Sequence, residues 1–203
     1  MSETLKNKRI ILASASPRRR EILASMGVDF TIVCADTDET SDVKSPDELT
    51  RELAGRKGRA VYELFVAKHE EQNVIIISAD TVVACDGEIL GKPTDKADAA
   101  RMLRMLSGKT HTVTTGVAVT VDGKTFTDSC TTKVFVDDIP EEGIESYIAT
   151  GDCYDKAGAY GIQGVFSKWI RGIDGCYFSV VGLPVNCLSK LFKRAFGSYP
   201  DEL

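Results

Sequence analysis

IILASASPRRREIL, residues 10–23, says more about the fold than any other stretch of the chain. Ile10-Ile11-Leu12-Ala13 is an apolar run of the length of a short buried strand. It stops at Ser14-Ala15-Ser16, after which come Pro17, then Arg18-Arg19-Arg20, then a helical pattern through Glu21, Ile22, Leu23 and Met26. Ser16 carries a hydroxyl that can cap a helix and Pro17 suits the first helical position, so the spacing predicts strand, turn and helix. The arginines oppose the helix dipole, by about 0.3–1 kcal/mol each, at an end that free N–H groups already make electropositive. An anion bound there turns that cost into a gain, and guanidinium forks at a helix N-terminus are groups that take phosphate. A solvated basic face is the other reading of the triplet. Its position after a strand end, where α/β folds place ligands, is what favours phosphate.

The flanking sequence extends the pattern. Residues 30–34 read as a strand, followed by the acid-rich loop Ala35-Asp36-Thr37-Asp38-Glu39-Thr40. Ser45 and Pro46 open a helix expected to run from Asp47 to about His69, and Val74–Ser78 is a continuous apolar run fit for a strand buried on both faces. That strand is expected to end at Ala79-Asp80-Thr81. Asp86-Gly87 and Asp122-Gly123 each sit between apolar or alternating segments and predict two hairpins, over 82–90 and 111–136. Helices are expected over 95–106, 141–150 and 184–195, and a strand over Ile173–Val180. The mixture of helices and hairpins predicts a mixed α/β sheet, and 203 residues suit one domain spanning 1–203 or two small lobes sharing a core. No repeat, linker or low-complexity segment interrupts it.

Composition narrows the function. The chain has 203 residues, 43% hydrophobic and 27% charged, with a net charge of −5. A globally acidic chain with one local arginine cluster suits a small anionic ligand rather than a nucleic acid polymer, which needs a broad basic surface. The opening MSETLKNKR is polar and the apolar run after it is too short for a signal h-region; no run approaches a membrane span. The six cysteines form no C-x-x-C pair and have no histidine at ligand spacing. Neither a zinc site nor a disulfide framework is expected, and a reducing cytoplasmic location is.

Asp80 is the strongest single candidate for chemistry, because a carboxylate at the end of a buried strand needs a compensating partner or role; a turn-capping Asp is the alternative. Asp38 and Glu39 either belong to a solvated loop or converge with Asp80 on one Mg²⁺, which takes oxygen ligands and often bridges protein to phosphate. Lys92 is constrained between Gly91 and Pro93. Lys57 lies on a helix with Arg51, Arg56 and Arg59, most of which read as surface charges. His111 reads as structural. Ser14 and Ser16 lack the G-x-S-x-G setting of a serine nucleophile, and neither a P-loop nor a dinucleotide-binding fingerprint is present. The glycine-rich 157–164 segment offers Gln163, whose amide has the donor and acceptor to read a base edge.

LASASPRRREIL, DTDET, SADTVV, GEILGKP, GKTHTVTTGV, AGAYGIQG and VVGLP follow one another along nearly the whole chain, and in that order they resemble the Maf family of nucleoside triphosphate pyrophosphatases. The resemblance implies an elongated mixed β-sheet with helices and a cleft between two lobes. It implies hydrolysis between the α and β phosphates to the monophosphate and pyrophosphate, with Mg²⁺ or Mn²⁺ as cofactor. By matching motif it makes Asp80 the proton acceptor for water and places Arg18, Thr81 and Gln163 at specificity positions. Ser14, Arg19, Lys57 and Lys92 fall at phosphate contacts, and Glu39 with Asp80 at the metal; the sequence leaves both base and metal ligand open for Asp80. SPRR, ADT and GIQG are similar to the subgroup acting on dTTP and UTP. The subgroup similar to 7-methyl-GTP hydrolases has a bulky residue in place of Arg18 and an acid near Gln163, and this chain has neither. Modified pyrimidine nucleotides are a related substrate class, as for a house-cleaning enzyme. Relatives also point to a homodimer. The chain departs from the family at Gly55-Arg56-Lys57-Gly58, where relatives carry Ala around the Lys; each glycine loosens a helix by up to about 1 kcal/mol. A non-catalytic nucleotide-binding regulator of cell division is the alternative in a different class, against which the set of acids argues.

Overall fold

A computed structural model of the chain describes residues 8–70 and 74–200, so part of the polar leader lies outside the described residues. Among the described residues seven strands and six α-helices follow in order: β1 (Arg9–Leu12), α1 (Pro17–Ser25), β2 (Phe30–Ile32), α2 (Pro46–Val66), β3 (Val74–Cys85), β4 (Glu88–Leu90), α3 (Lys96–Leu106), β5 (Thr110–Val121), β6 (Lys124–Val136), α4 (Glu141–Ala149), β7 (Ile170–Asp174), α5 (Tyr177–Val181) and α6 (Val185–Phe196). The sheet order is β2-β1-β3-β5-β6-β7, with β4 against β3. β1 pairs in parallel with both β2 and β3, so α1 and α2 serve as the crossovers that parallel neighbours require. β4 and β7 are antiparallel to β3 and β6. The sheet is therefore mixed, as the sequence predicts. Both Asp-Gly turns have positive φ at each central residue, Asp86 and Gly87 at 50° and 82°, Asp122 and Gly123 at 48° and 73°. That is the primed-turn geometry whose twist matches the strands it joins.

The chain divides into two compact units. The first comprises the chain up to Asp80, Thr115–Cys130, and the chain from Gly182 onward; the second comprises Thr81–Thr114 and Thr131–Val181. Strands β3, β5 and β6 are each shared between the units. In the first unit, Ile11, Ala13, Val61, Tyr62, Phe65, Val74 and Ile76 form one core between strands and α2. Ile10, Leu12, Ile75 and Ile77 are equally buried, so β1 and this half of β3 are covered on both faces, which explains their unbroken apolar sequence.

Two expectations are corrected. β3 does not end at Ala79–Thr81 but continues to Cys85, twelve residues in all; Asp80 lies inside a strand, because the buried run passes directly into the first arm of the β3–β4 hairpin. The strand expected over Ile173–Val180 is β7 over Ile170–Asp174 followed by the helical turn α5. Gly175, at φ 133°, breaks the strand, and Thr132 Oγ1 accepts from Cys176 N while donating to its carbonyl, which turns the chain into α5.

The second unit has its own core, including Leu103 and Leu106 of α3, Tyr147 of α4 and Phe166. Phe166 meets Tyr147, Tyr160 and Trp169 at ring centroid distances of 5.1, 4.8 and 5.3 Å. His111 on β5 is buried in this core at 2% exposure, its Nε2 2.7 Å from the Tyr160 hydroxyl. It is structural, as its sequence setting suggests. Burial pushes its pKa down to about 4 from the ordinary 6.5. The folded protein thus holds His111 neutral where the unfolded chain would bind a proton. The stability this confers is full above the unfolded value of 6.5 and is lost as pH falls from there toward 4. His111→Gln keeps a polar group facing Tyr160 without the titration. Between about pH 7.5 and about pH 5, wild type is expected to lose about 2 kcal/mol more stability than this variant in urea denaturation. Equal losses would show that the imidazole is not held neutral.

Candidate active site

The first unit gathers most of the residues singled out in the sequence, and the path to them starts at α2. On β3, Ser78 and Asp80 are two residues apart and so share a face. Ser78 Oγ donates to the Ala54 carbonyl of α2 at 2.7 Å. One turn further along the helix, Lys57 Nζ donates to Asp80 Oδ1 at 2.5 Å. This approach depends on glycine. A Cβ at Gly58 would stand 2.8 Å from both Ser78 Oγ and Thr120 Oγ1, and one at Gly116 of β5 would stand 2.3 Å from the Thr50 carbonyl. The glycines beside Lys57 therefore do not detach it from the site. Gly58 lets the helix lie close enough for the ammonium to meet the strand.

Lys57 Nζ also reaches Glu39 Oε1 at 2.7 Å, so one ammonium joins two carboxylates. The three differ in exposure: Asp80 and Lys57 side chains are 10% and 19% exposed, Glu39 55%. The inner pair is thus largely removed from water and Glu39 closes it from the solvent side.

The strand–turn–helix is as the sequence predicts. Ser16 caps α1, its Oγ accepting from Arg19 N at 3.5 Å; Pro17 opens the helix, and no acid lies in its first turn. Ser14 Oγ accepts from Ser16 N at 3.2 Å and from Arg19 Nη1 at 3.3 Å, while Arg19 Nε donates to the Gly182 carbonyl at 2.8 Å. Arg19 is thereby fixed at both ends of its guanidinium group. Burial lowers its pKa; the carboxylates of Asp80 and Glu39 pull it up and Arg18 pushes it down. Arg19 therefore feels the charges of the Lys57 cluster and of its neighbour Arg18. Three cations, Arg18, Arg19 and Lys57, stand against two carboxylates, so the group carries net positive charge suited to a polyanion.

Thr81, Lys92 and Gln163 belong to the second unit. Thr81 follows Asp80 in β3 and is half-buried; Lys92 is exposed just after β4; Gln163 is exposed in extended backbone before the 3-10 helix Gly164–Trp169. Sequence reading missed two contributors. The Gly182 carbonyl that anchors Arg19 lies within VVGLP, but a backbone acceptor has no side-chain signature. Arg56, read as a surface charge, bonds to the acidic loop; its only sequence signal is a Glu52 four residues earlier on α2. No group of three or more His, Cys, Asp or Glu suited to a metal ion occurs among the described residues, and no helix among them is long and apolar enough to cross a membrane.

The Maf-like protein family matches residues 9–195. A dTTP/UTP pyrophosphatase of Koribacter versatilis is 47% identical over 187 residues, covering 92% of this chain and 94% of the relative. One of Caldanaerobacter subterraneus subsp. tengcongensis is 46% identical over 191 residues, covering 93% and 90%. One of Bacillus cereus is 45% identical over 188 residues, covering 92% and 90%.

Proposed function

Since the chain belongs to the Maf family, we propose that it hydrolyses dTTP and UTP, the nucleotides that its relatives' names carry, to the monophosphate and pyrophosphate. The observation that carries this reading is the Lys57 cluster, in which a buried carboxylate and a solvent-side carboxylate meet at one ammonium beside the arginine-rich start of α1.

The carboxylates of Asp80 and Glu39, both within 2.7 Å of Lys57 Nζ, are oxygen donors of the kind a divalent cation such as Mg²⁺ or Mn²⁺ takes, its shell completed by water and substrate phosphate. Asp80 and Glu39 would hold it, and when bound it would neutralise charge developing on the phosphates. The chain's own residues do the rest. Ser14, Arg18 and Arg19 at the electropositive end of α1 bind phosphate oxygens, with Lys57 and Lys92 adding positive charge. Asp80 accepts a proton from the water that attacks the α-phosphorus. A bond forms from the water oxygen to the α-phosphorus, the bond to the α–β bridging oxygen breaks, and pyrophosphate leaves with that electron pair. Spreading its charge over fixed cations lowers the barrier. Arg18, Thr81 and Gln163 select the pyrimidine.

Turnover of dTTP in ¹⁸O-water tests the site of attack. The label is expected in dTMP and absent from pyrophosphate. Label in pyrophosphate would place attack at the β-phosphorus, and release of dTDP with inorganic phosphate would reject this reaction altogether.

A further inference from the structure

The Glu39 carboxylate lies on a loop and is more than half exposed, yet it meets a mostly buried lysine. Something must fix the loop, because an exposed glutamate on a mobile turn would spread over many rotamers and lose the contact. The backbone on either side of Glu39 shows what does. Arg56 Nη1 donates to the Asp38 carbonyl at 3.2 Å and to the Thr40 carbonyl at 2.6 Å. Its Nη2 bonds the Glu52 carboxylate one turn earlier on α2, which aims the fork. Glu52 also accepts from Ser41 Oγ at 3.2 Å, so the same helix face holds the loop at a second point. Within the loop, Asp38 Oδ1 accepts from Thr40 N at 2.8 Å, closing a small turn with Glu39 at its apex. Thr40 first, and Arg56 by its charge, keep the Asp38 carboxyl below the usual range.

We propose that Arg56 is a positioning residue that grips the carbonyls flanking Glu39 and so holds the Glu39 carboxylate at Lys57 and Asp80. The guanidinium is suited to this because a planar fork reaches two carbonyls and a carboxylate at once, whereas an ammonium on a flexible stem fixes no such plane. Arg56 follows Gly55 and precedes Lys57, so one helical turn presents both the ammonium that binds Glu39 and the fork that places it. The inference rests on the reading of Glu39 as a cation-binding group.

The test is Mn²⁺ binding with the α,β-imido analogue of dTTP present, followed by the electron paramagnetic resonance signal of free Mn²⁺, on wild type, Glu39→Gln, Arg56→Ala, Arg56→Lys and the double variant Glu39→Gln/Arg56→Ala. Thermal denaturation of each accompanies it. Glu39→Gln is expected to weaken Mn²⁺ binding. Arg56→Ala is expected to weaken it by about 10-fold, as for loss of an outer-shell partner, with Arg56→Lys in between and all variants folded. In the Glu39→Gln background, removing Arg56 is expected to change Mn²⁺ affinity little further, because its effect passes through Glu39. If Glu39→Gln binds Mn²⁺ like wild type, the reading of Glu39 fails and the inference with it. If Glu39→Gln weakens binding but Arg56→Ala does not, or does so equally in both backgrounds, Arg56 is no positioning residue and the reading of Glu39 stands.

Discussion

Asp80→Asn is expected to lower kcat for dTTP by about 10²–10⁴-fold, the range associated with loss of a general base, with little change in stability. The geometry separates these two effects. An amide oxygen can still accept from Lys57 Nζ, now 2.5 Å from Asp80 Oδ1, and the side chain keeps its shape inside β3. Lys57 retains Glu39 as a charged partner, so no ammonium is stranded in the interior. What the amide cannot do is accept the proton of the attacking water or offer an anionic ligand to a divalent cation. Steady-state kinetics beside urea denaturation checks this. Wild-type turnover would remove Asp80 from the mechanism, and a large loss of stability with the activity would reduce its role to holding the fold.

Lys57→Met is expected to damage both properties. Breaking an ion pair by removing one partner costs more than the pair was worth, since the other charge is left behind; for buried pairs the cost is about 3–5 kcal/mol. Asp80 is nearly enclosed and Glu39 partly open to water, so a loss near the lower end, about 3 kcal/mol, is expected from chemical denaturation. Two carboxylates drawn together by one ammonium would then repel each other, and Glu39 would leave the cluster. Lys57→Arg keeps the charge and is expected to recover most of the stability but less of the activity, because a planar fork does not replace a point donor between two acids. A Lys57→Met protein as stable as wild type would mean that the cluster contributes nothing to folding.

How far the sequence led depended on whether the information was local. Strand, turn and helix over residues 9–25 were legible because apolar run, cap and proline all lie within residues 10–17. The Asp-Gly hairpins were legible because two residues dictate the turn. The end of β3 was misplaced because Ala79-Asp80-Thr81 has the composition of a turn, while the chain stays extended from the buried run into the β3–β4 hairpin. Residues 173–180 are rich in β-formers, and the break comes from one glycine and the Thr132 hydroxyl on another strand, about 40 positions away in sequence. The sequence singled out Asp80, Glu39 and Lys57 separately as candidates, partly through family resemblance. That they meet within 2.7 Å follows from how closely α2 lies on β3, which Gly58 permits and no local rule predicts. Arg56 stayed hidden because the partners that tie it to the loop are the Asp38 and Thr40 carbonyls, and a carbonyl has no letter in the sequence.

Pyrophosphate release from a panel of nucleoside triphosphates, run with Mg²⁺ and again with EDTA, decides whether the chain is a metal-dependent pyrimidine nucleotide pyrophosphatase. Turnover of dTTP and UTP with Mg²⁺, little turnover of ATP and GTP, and none with EDTA is the expected result. Binding of dTTP without release of pyrophosphate, or turnover confined to purines, would contradict it.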